Sequence, residues 1–438
     1  MFSGDGTADM LRPAQESIFK TVPLIAGVML LTSAANAQAP TPLEQCNNKD
    51  EAAFEQRIAG CTAVIASGQY QGKALAFAFV NRGEAYYDKK DYDRAISDLS
   101  QAIQRDPQLA AAYNGRGRAY RAKDDPDQAI ADQTMAIRLD PNMVRAFNNR
   151  GNAFLDKLDI ERALGDQAEA IRLDPNFGAA FSSRGFTYYV KAEFDRLSAA
   201  PGAGAADYDR AISDLTEALR LDPAYAQGFR LRATVFSAKG DMDRAIADYD
   251  ALLRLDPQSA YAFLKRGSIH SATGQIDRAL ADYAEALRIN PNYEDVYEAR
   301  SRIYLIKHDY DNAISNYTEM IRLDPSGNNG AFIGRADAYR QKGDFDRAMA
   351  DYNEAIRLNP KIASAFAGRG VTYREKGDLD RAIADFNEAI RLDPKNFSIV
   401  FERARVHRQK GDIAKATADE DEAKRLRECL TQPNACAK

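Results

Sequence analysis

The sequence has no tryptophan, only three histidines and four cysteines among 438 residues, which leaves few side chains for metal ligation or nucleophilic chemistry. It also has no surplus of positive charge: 59 basic residues face 64 acidic ones, for a net charge of -5. Binding nucleic acid through its phosphates needs an excess of Lys and Arg, so no nucleic-acid partner is expected. No G-x-S-x-G, H-E-x-x-H or P-loop motif occurs. Gly202-Ala203-Gly204 follows no strand and is no dinucleotide loop. His308 has no Cys or His nearby, and His270 and His407 replace a tyrosine that recurs elsewhere as Tyr86 and Tyr304. They are read as packed substitutes for it. The expectation is a non-enzyme with no catalytic residues, no cofactor and no metal.

Long apolar runs are missing too. The stretch Val22 to Thr32 is too short to span a bilayer as a lasting helix. Preceded by Arg12 and Lys20 and followed by Ala35-Asn36-Ala37, it reads as a signal peptide over residues 1–37, with Met1 or Met10 as initiator and cleavage before Gln38. Leu43-Glu44-Gln45-Cys46 is no lipoprotein site, because Glu and Gln stand where small residues are needed. The chain is expected to be exported and periplasmic, with no stable membrane span once the leader is removed.

What the sequence does have is a ruler. Prolines fall at positions 107, 141, 175, 223, 257, 291, 325, 360 and 394, at intervals of 34, 34, 48, 34, 34, 34, 35 and 34. A fixed period of this size marks a repeat array. Ten units cover residues 76–430, with a 14-residue insertion in the fourth, near residues 193–206, and a tail at 431–438. Each unit reads as two amphipathic helices, A and B, closed by Asp-Pro or Asn-Pro. Alanine holds the twentieth position in all ten units, from Ala95 to Ala416, and glycine holds the eighth in six, as at Gly83 and Gly117. Glycine inside a helix costs about 1 kcal/mol relative to alanine, so its recurrence predicts a close approach of the two helices.

Arginine takes the seventh position of every unit, and position 23 is Asp in all but Asn316. The two predict a ladder of charge-assisted pairs between helices. Upstream, Gln56 to Ile65 resembles a helix B without its helix A, with Cys61 at the place of Leu99, so residues 38–75 are read as a cap. The final unit puts Glu420 where Leu99 or Phe386 sits, a polar end that stops further stacking. Four cysteines in an exported chain read as disulfides. Between the ends of a long rod no bond can form, which leaves Cys46 with Cys61 and Cys429 with Cys436; free, buried thiols are the alternative. The insertion, centred on Ser198 to Gly204, reads as a flexible loop, either neutral or a docking site.

These features resemble the tetratricopeptide repeat family over about 80% of the chain, although no unit has the family's tryptophan and arginine replaces its leucine at position seven. The resemblance implies an all-α fold, a right-handed α-solenoid superhelix of about ten helix hairpins with an N-terminal capping helix. It also implies a protein or peptide partner, bound as an extended segment in a concave groove lined by helix A. At the groove positions stand Asn114, Arg118, Arg121, Asn148, Asn149 and Asn152, whose amides and guanidiniums suit a peptide backbone. Phe186, Tyr189 and Tyr261 follow, then an arginine column, Arg340, Arg374 and Arg408, suited to an acidic segment. A solvated helix face is the alternative for both polar sets. The family's clamp for C-terminal carboxylates is not reproduced in any three consecutive units. The function expected is a scaffold or adaptor; the rival readings are an envelope-assembly or carbohydrate-associated factor, or a non-catalytic subunit of an enzyme complex.

Overall fold

A computed structural model describes residues 40–48, 50, 53–198 and 204–431. The leader, Cys436 and its predicted bond to Cys429 lie outside the described residues. Those described form 22 α-helices and no strand, divided between two compact units that part after Asp256.

The first unit holds α1 (Pro42–Cys46), α2 (Phe54–Ala66), α3 (Gly72–Asp88), α4 (Tyr92–Arg105), α5 (Ala110–Ala122), α6 (Pro126–Leu139), α7 (Val144–Asp156), α8 (Ile160–Leu173), α9 (Gly178–Ser198), α10 (Ala205–Leu221), α11 (Ala226–Lys239) and α12 (Met242–Leu255). The second holds α13 (Ala260–Ala272), α14 (Ile276–Ile289), α15 (Glu294–Ile306), α16 (Tyr310–Leu323), α17 (Asn329–Gln341), α18 (Phe345–Leu358), α19 (Ala363–Glu375), α20 (Leu379–Leu392), α21 (Phe397–Gln409) and α22 (Ile413–Thr431).

From α3 onward each unit is a run of antiparallel hairpins in chain order, and each hairpin packs on the next. The alanines at position 20 are sealed between the two helices of a hairpin, from Ala95 to Ala416. Close approach is real at the glycines as well: a Cβ on Gly83 would lie 2.8 Å from Leu99 Cγ, and one on Gly151 would lie 3.0 Å from the Ala163 carbonyl oxygen. Most second helices start on aspartate caps, α10 and α14 excepted. Asp91, Asp159 and Asp344, for example, accept a hydrogen bond from the backbone N–H three residues on. First helices of neighbouring hairpins also touch each other, as α3 touches α5 and α17 touches α19, and second helices make no comparable contact. Within each unit the first helices therefore form the tighter row.

The cap follows the expected register. Cys46 and Cys61 are bonded and fully buried, and α1 crosses α2 at Gly60, where a Cβ would meet the Pro42 carbonyl at 2.7 Å. Arg82 of α3 donates to Thr62 of α2 as Arg116 of α5 donates to Ser100 of α4. Thr62 follows Cys61 as Ser100 follows Leu99, so α2 stands in for a second helix.

The flexible loop expected around Ser198 to Gly204 falls on residues 199–203, outside the described residues, and helix runs up to it. Glu193 to Ser198 continue helix α9, which runs for 21 residues against 13 in α5. Lys191 fastens the extension by bonding both Asp195 (3.2 Å) and Asp207 (2.8 Å), and Tyr208 donates to Glu193. Burial, reinforced by the Glu193 carboxylate, pushes the Tyr208 phenol up to about 12. The repeated Phe-Asp-Arg and Tyr-Asp-Arg segments thus lengthen a hairpin; residues 199–203 between them lie outside the described residues.

Candidate functional site

The ladder forms the skeleton on which the first-helix faces are built. In nine hairpins the seventh-position arginine grips the position-23 aspartate with both Nε and Nη2, at 2.6–3.0 Å, from Arg82 with Asp98 to Arg403 with Asp419. The remaining Nη1 often reaches the preceding second helix, as Arg150 reaches Thr134 (3.2 Å) and Arg369 reaches Asn353 (2.7 Å). Each such arginine joins three helices. The bonds it donates to Asp98 hold the Arg82 guanidinium protonated beyond its ordinary range, against the opposing effect of burial. These arginines are committed to the scaffold and are not free for a ligand.

In the first unit the predicted amides do come together. Asn149 of α7 donates to Asn114 Oδ1 of α5 at 2.9 Å, bridging two adjacent first helices. Asn148 and Asn152 are set deeper, 6% and 9% exposed. Asn152 Oδ1 accepts from Gln167 Nε2 at 3.2 Å, and Gln133 Nε2 donates to the Asn114 carbonyl at 3.0 Å. Gln133 and Gln167 sit at position 24, which is Leu, Tyr or Phe in the other units except the last, where it is Glu420, and both are fully buried. The Oδ1 of Asn148 and the Oε1 atoms of both glutamines have no hydrogen-bond partner. Burying a polar group unpaired costs about 1–3 kcal/mol. The sequence reading passed over the two glutamines, although the position-24 column shows them as its adjacent polar pair.

The other predicted residues divide sharply. Arg118 lies over the Tyr87 ring, 4.3 Å from its centroid. Arg121 is clamped by Asp156 through two hydrogen bonds of 2.6 and 3.1 Å. Phe186 is 3% exposed inside the core with Tyr208 and Leu215, so it packs the hairpin and offers no surface. Tyr189 is half-buried beside it, with ring centroids 6.1 Å apart. In the second unit Tyr261 is half-buried with Lys265 Nζ 5.4 Å from its ring centroid. The arginine column is spent on carboxylates: Arg340 on Glu375 (3.2 Å) and Asp337 (3.5 Å), Arg374 on Glu402 (3.7 Å), and Arg408 on both oxygens of Glu420 (2.7 Å). Tyr352 adds a bond to Asp337 at 2.6 Å. The column faces its own acids, and its expected appetite for an acidic segment is met internally.

Glu84 of α3 also escaped the sequence reading. Burial lifts its carboxyl above the ordinary range, against the pull of Arg118, Arg57 and Arg145, with Asp88 adding to the rise.

Three family models, each described as a tetratricopeptide repeat, match residues 80–144, 333–397 and 372–428, residues 231–304, and residues 294–326. Together they cover more than half of the chain. The chain belongs to the tetratricopeptide repeat family. Among solved structures it is similar to a tetratricopeptide repeat protein from Parabacteroides merdae, at 21% identity and a TM-score of 0.41, covering 57% of this chain and 93% of that one. It is also similar to PilF of Pseudomonas aeruginosa, at 18% identity and a TM-score of 0.43, over 52% and 97%. A third is YrrB, described as a tetratricopeptide repeat protein with an unusual peptide-binding site, at 21% identity and a TM-score of 0.36, over 46% and 97%. No curated protein matches the chain significantly. Among the described residues of this repeat protein no helix is long and apolar enough to cross a membrane.

Proposed function

We propose that the protein is a non-catalytic scaffold, exported to the periplasm, that holds an extended peptide segment of a partner against the first-helix face of residues 40–256. One observation carries this: four asparagines on two adjacent first helices, linked by the bond from Asn149 to Asn114, beside a buried acceptor on Asn148 that has no partner. Side-chain amides pair with both the N–H and the C=O of a peptide bond, so a row of them suits a backbone and is indifferent to much of its side-chain sequence. The family's association with protein partners supports the same reading. A carbohydrate-associated role is disfavoured by Phe186, whose ring is enclosed in the core and cannot stack on a sugar.

The test is to place a photo-crosslinking residue at Ala111, next to the amides, and identify what it captures in a periplasmic extract. The expected result is a peptide adduct that is lost when Asn148, Asn149 and Asn152 are changed together to alanine. Equal capture by that variant, or recovery of glycan without protein, overturns the reading.

A further inference from the structure

We propose that the amide face of residues 40–256 selects acidic segments, an inference that rests on the peptide-binding reading and names its ligand class. Two guanidiniums flank the amides without a salt bridge. Arg118 lies one helical turn after Asn114 on α5, and Arg145 one turn before Asn149 on α7, so each shares a face with an asparagine. Arg145 is exposed and Arg118 half-buried. Neither makes an ion pair among the described residues, whereas Arg121 on the same helix is taken by Asp156.

The amides point to the same ligand. Asn114 Oδ1 and Asn152 Oδ1 already accept bonds from Asn149 and Gln167, so these two side chains have their N–H groups left to give. Added to two guanidiniums, they supply donors to this face, whose unpaired oxygens on Asn148, Gln133 and Gln167 are buried. A ligand dense in carboxylate and carbonyl oxygens is its complement. Of the three buried acceptors without a partner, on Asn148, Gln133 and Gln167, the Asn148 Oδ1 suits a single backbone N–H. Glu84 is electrostatically coupled to both arginines and offsets one of their two positive charges. The second unit shows the contrast: its arginine column is matched by Asp337, Glu375, Glu402 and Glu420, and no such preference is expected there.

The experiment is a selection from a displayed random-peptide library against the purified chain, followed by fluorescence anisotropy with a synthetic winner. The expected outcome is enrichment in Asp and Glu, binding that weakens with added salt, and at least about tenfold weaker binding to R118Q/R145Q. Because Arg118 also stacks on Tyr87 and both arginines pull on Glu84, the anisotropy is read at a temperature where circular dichroism shows the variant fully folded. Enrichment of uncharged or basic peptides overturns the acidic preference and leaves peptide binding standing. Unchanged affinity in the double variant overturns the assignment to these arginines. No enrichment at all overturns both readings.

Discussion

Arg300 and Asn316 stand where nine other hairpins hold an arginine clamped to an aspartate, yet they make no bond to each other. Asn316 turns back along its own helix to donate to the Asn312 carbonyl at 2.6 Å, and Arg300 is left with a 3.5 Å contact to Tyr304 and a buried, unpartnered Nε. An amide offers one acceptor where a guanidinium fork needs two, so the rung cannot form. Asn316→Asp should restore it and stabilise the α15–α16 hairpin by about 1.5 kcal/mol. Slower hydrogen exchange in these two helices is the readout; unchanged exchange would mean the rungs contribute shape and no stability.

The complementary change removes a rung. Arg266→Met deletes the fork that holds Asp282, whose side chain is only 8% exposed, and leaves that carboxylate with the His270 ring, 3.8 Å away, as its remaining basic neighbour. Loss of one partner of a buried pair costs about 3 kcal/mol. Arrays of repeats can unfold piecewise, so the loss is to be read in the exchange of α13 and α14 as well as in the thermal midpoint. A midpoint and local exchange equal to the parent would refute a structural ladder.

This ladder was legible in the sequence because a repeat supplies its own comparison: what every hairpin shares holds hairpins together. The cap was legible for the same reason, through the match of Cys61 to Leu99. The candidate site was less so. Arg121, Arg340, Arg374 and Arg408 occupy ligand-facing positions, but whether a guanidinium is free depends on residues one hairpin away, such as Asp156 and Glu375, which no single column reveals. Phe186 failed for a related reason, since the lengthened α9–α10 hairpin adds Tyr208 to the core beside it. The helical fate of Glu193 to Ser198 was hidden behind a small-residue segment that reads as a loop.

The cap depends on its covalent tie. The bond from Cys46 to Cys61 spans 15 residues, and closing a loop of that size is worth about 3 kcal/mol. The C46S/C61S variant should expose α1 and α2 to exchange while α5 to α8 stay protected. Gly60→Ala should do much the same with the disulfide intact, because its methyl group meets the Pro42 carbonyl and the Cys46 amide. If both variants leave α1 and α2 protected, packing alone holds the cap.

Glu84 gives a pH dependence with a definite sign. Burial raises its carboxyl above the ordinary 4.5, so the folded state binds this proton more tightly than the unfolded chain does. The associated stability is fully present below the ordinary value and is lost as pH rises through the raised one. Glu84→Gln cannot ionise and escapes the loss. Its thermal midpoint should exceed the parent's at neutral pH and converge with it in acid; a gap that is constant across the titration would assign the gain to something other than ionisation.

The buried glutamines set stability against binding. Gln167 is fully buried at a position that is leucine or an aromatic in most other hairpins, and its Oε1 has no partner. Gln167→Leu removes that unpaired oxygen and should stabilise the α7–α8 hairpin by about 1 kcal/mol. The same change removes the donor that fixes the Asn152 amide, freeing Asn152 to turn its oxygen outward and spoil the donor-rich face. The expected variant is therefore more resistant to denaturant and weaker in peptide capture. A variant that gains stability and captures peptide as well as the parent would show that the glutamine is tolerated rather than used. One that loses stability would mean that its bond to Asn152 outweighs the unpaired oxygen.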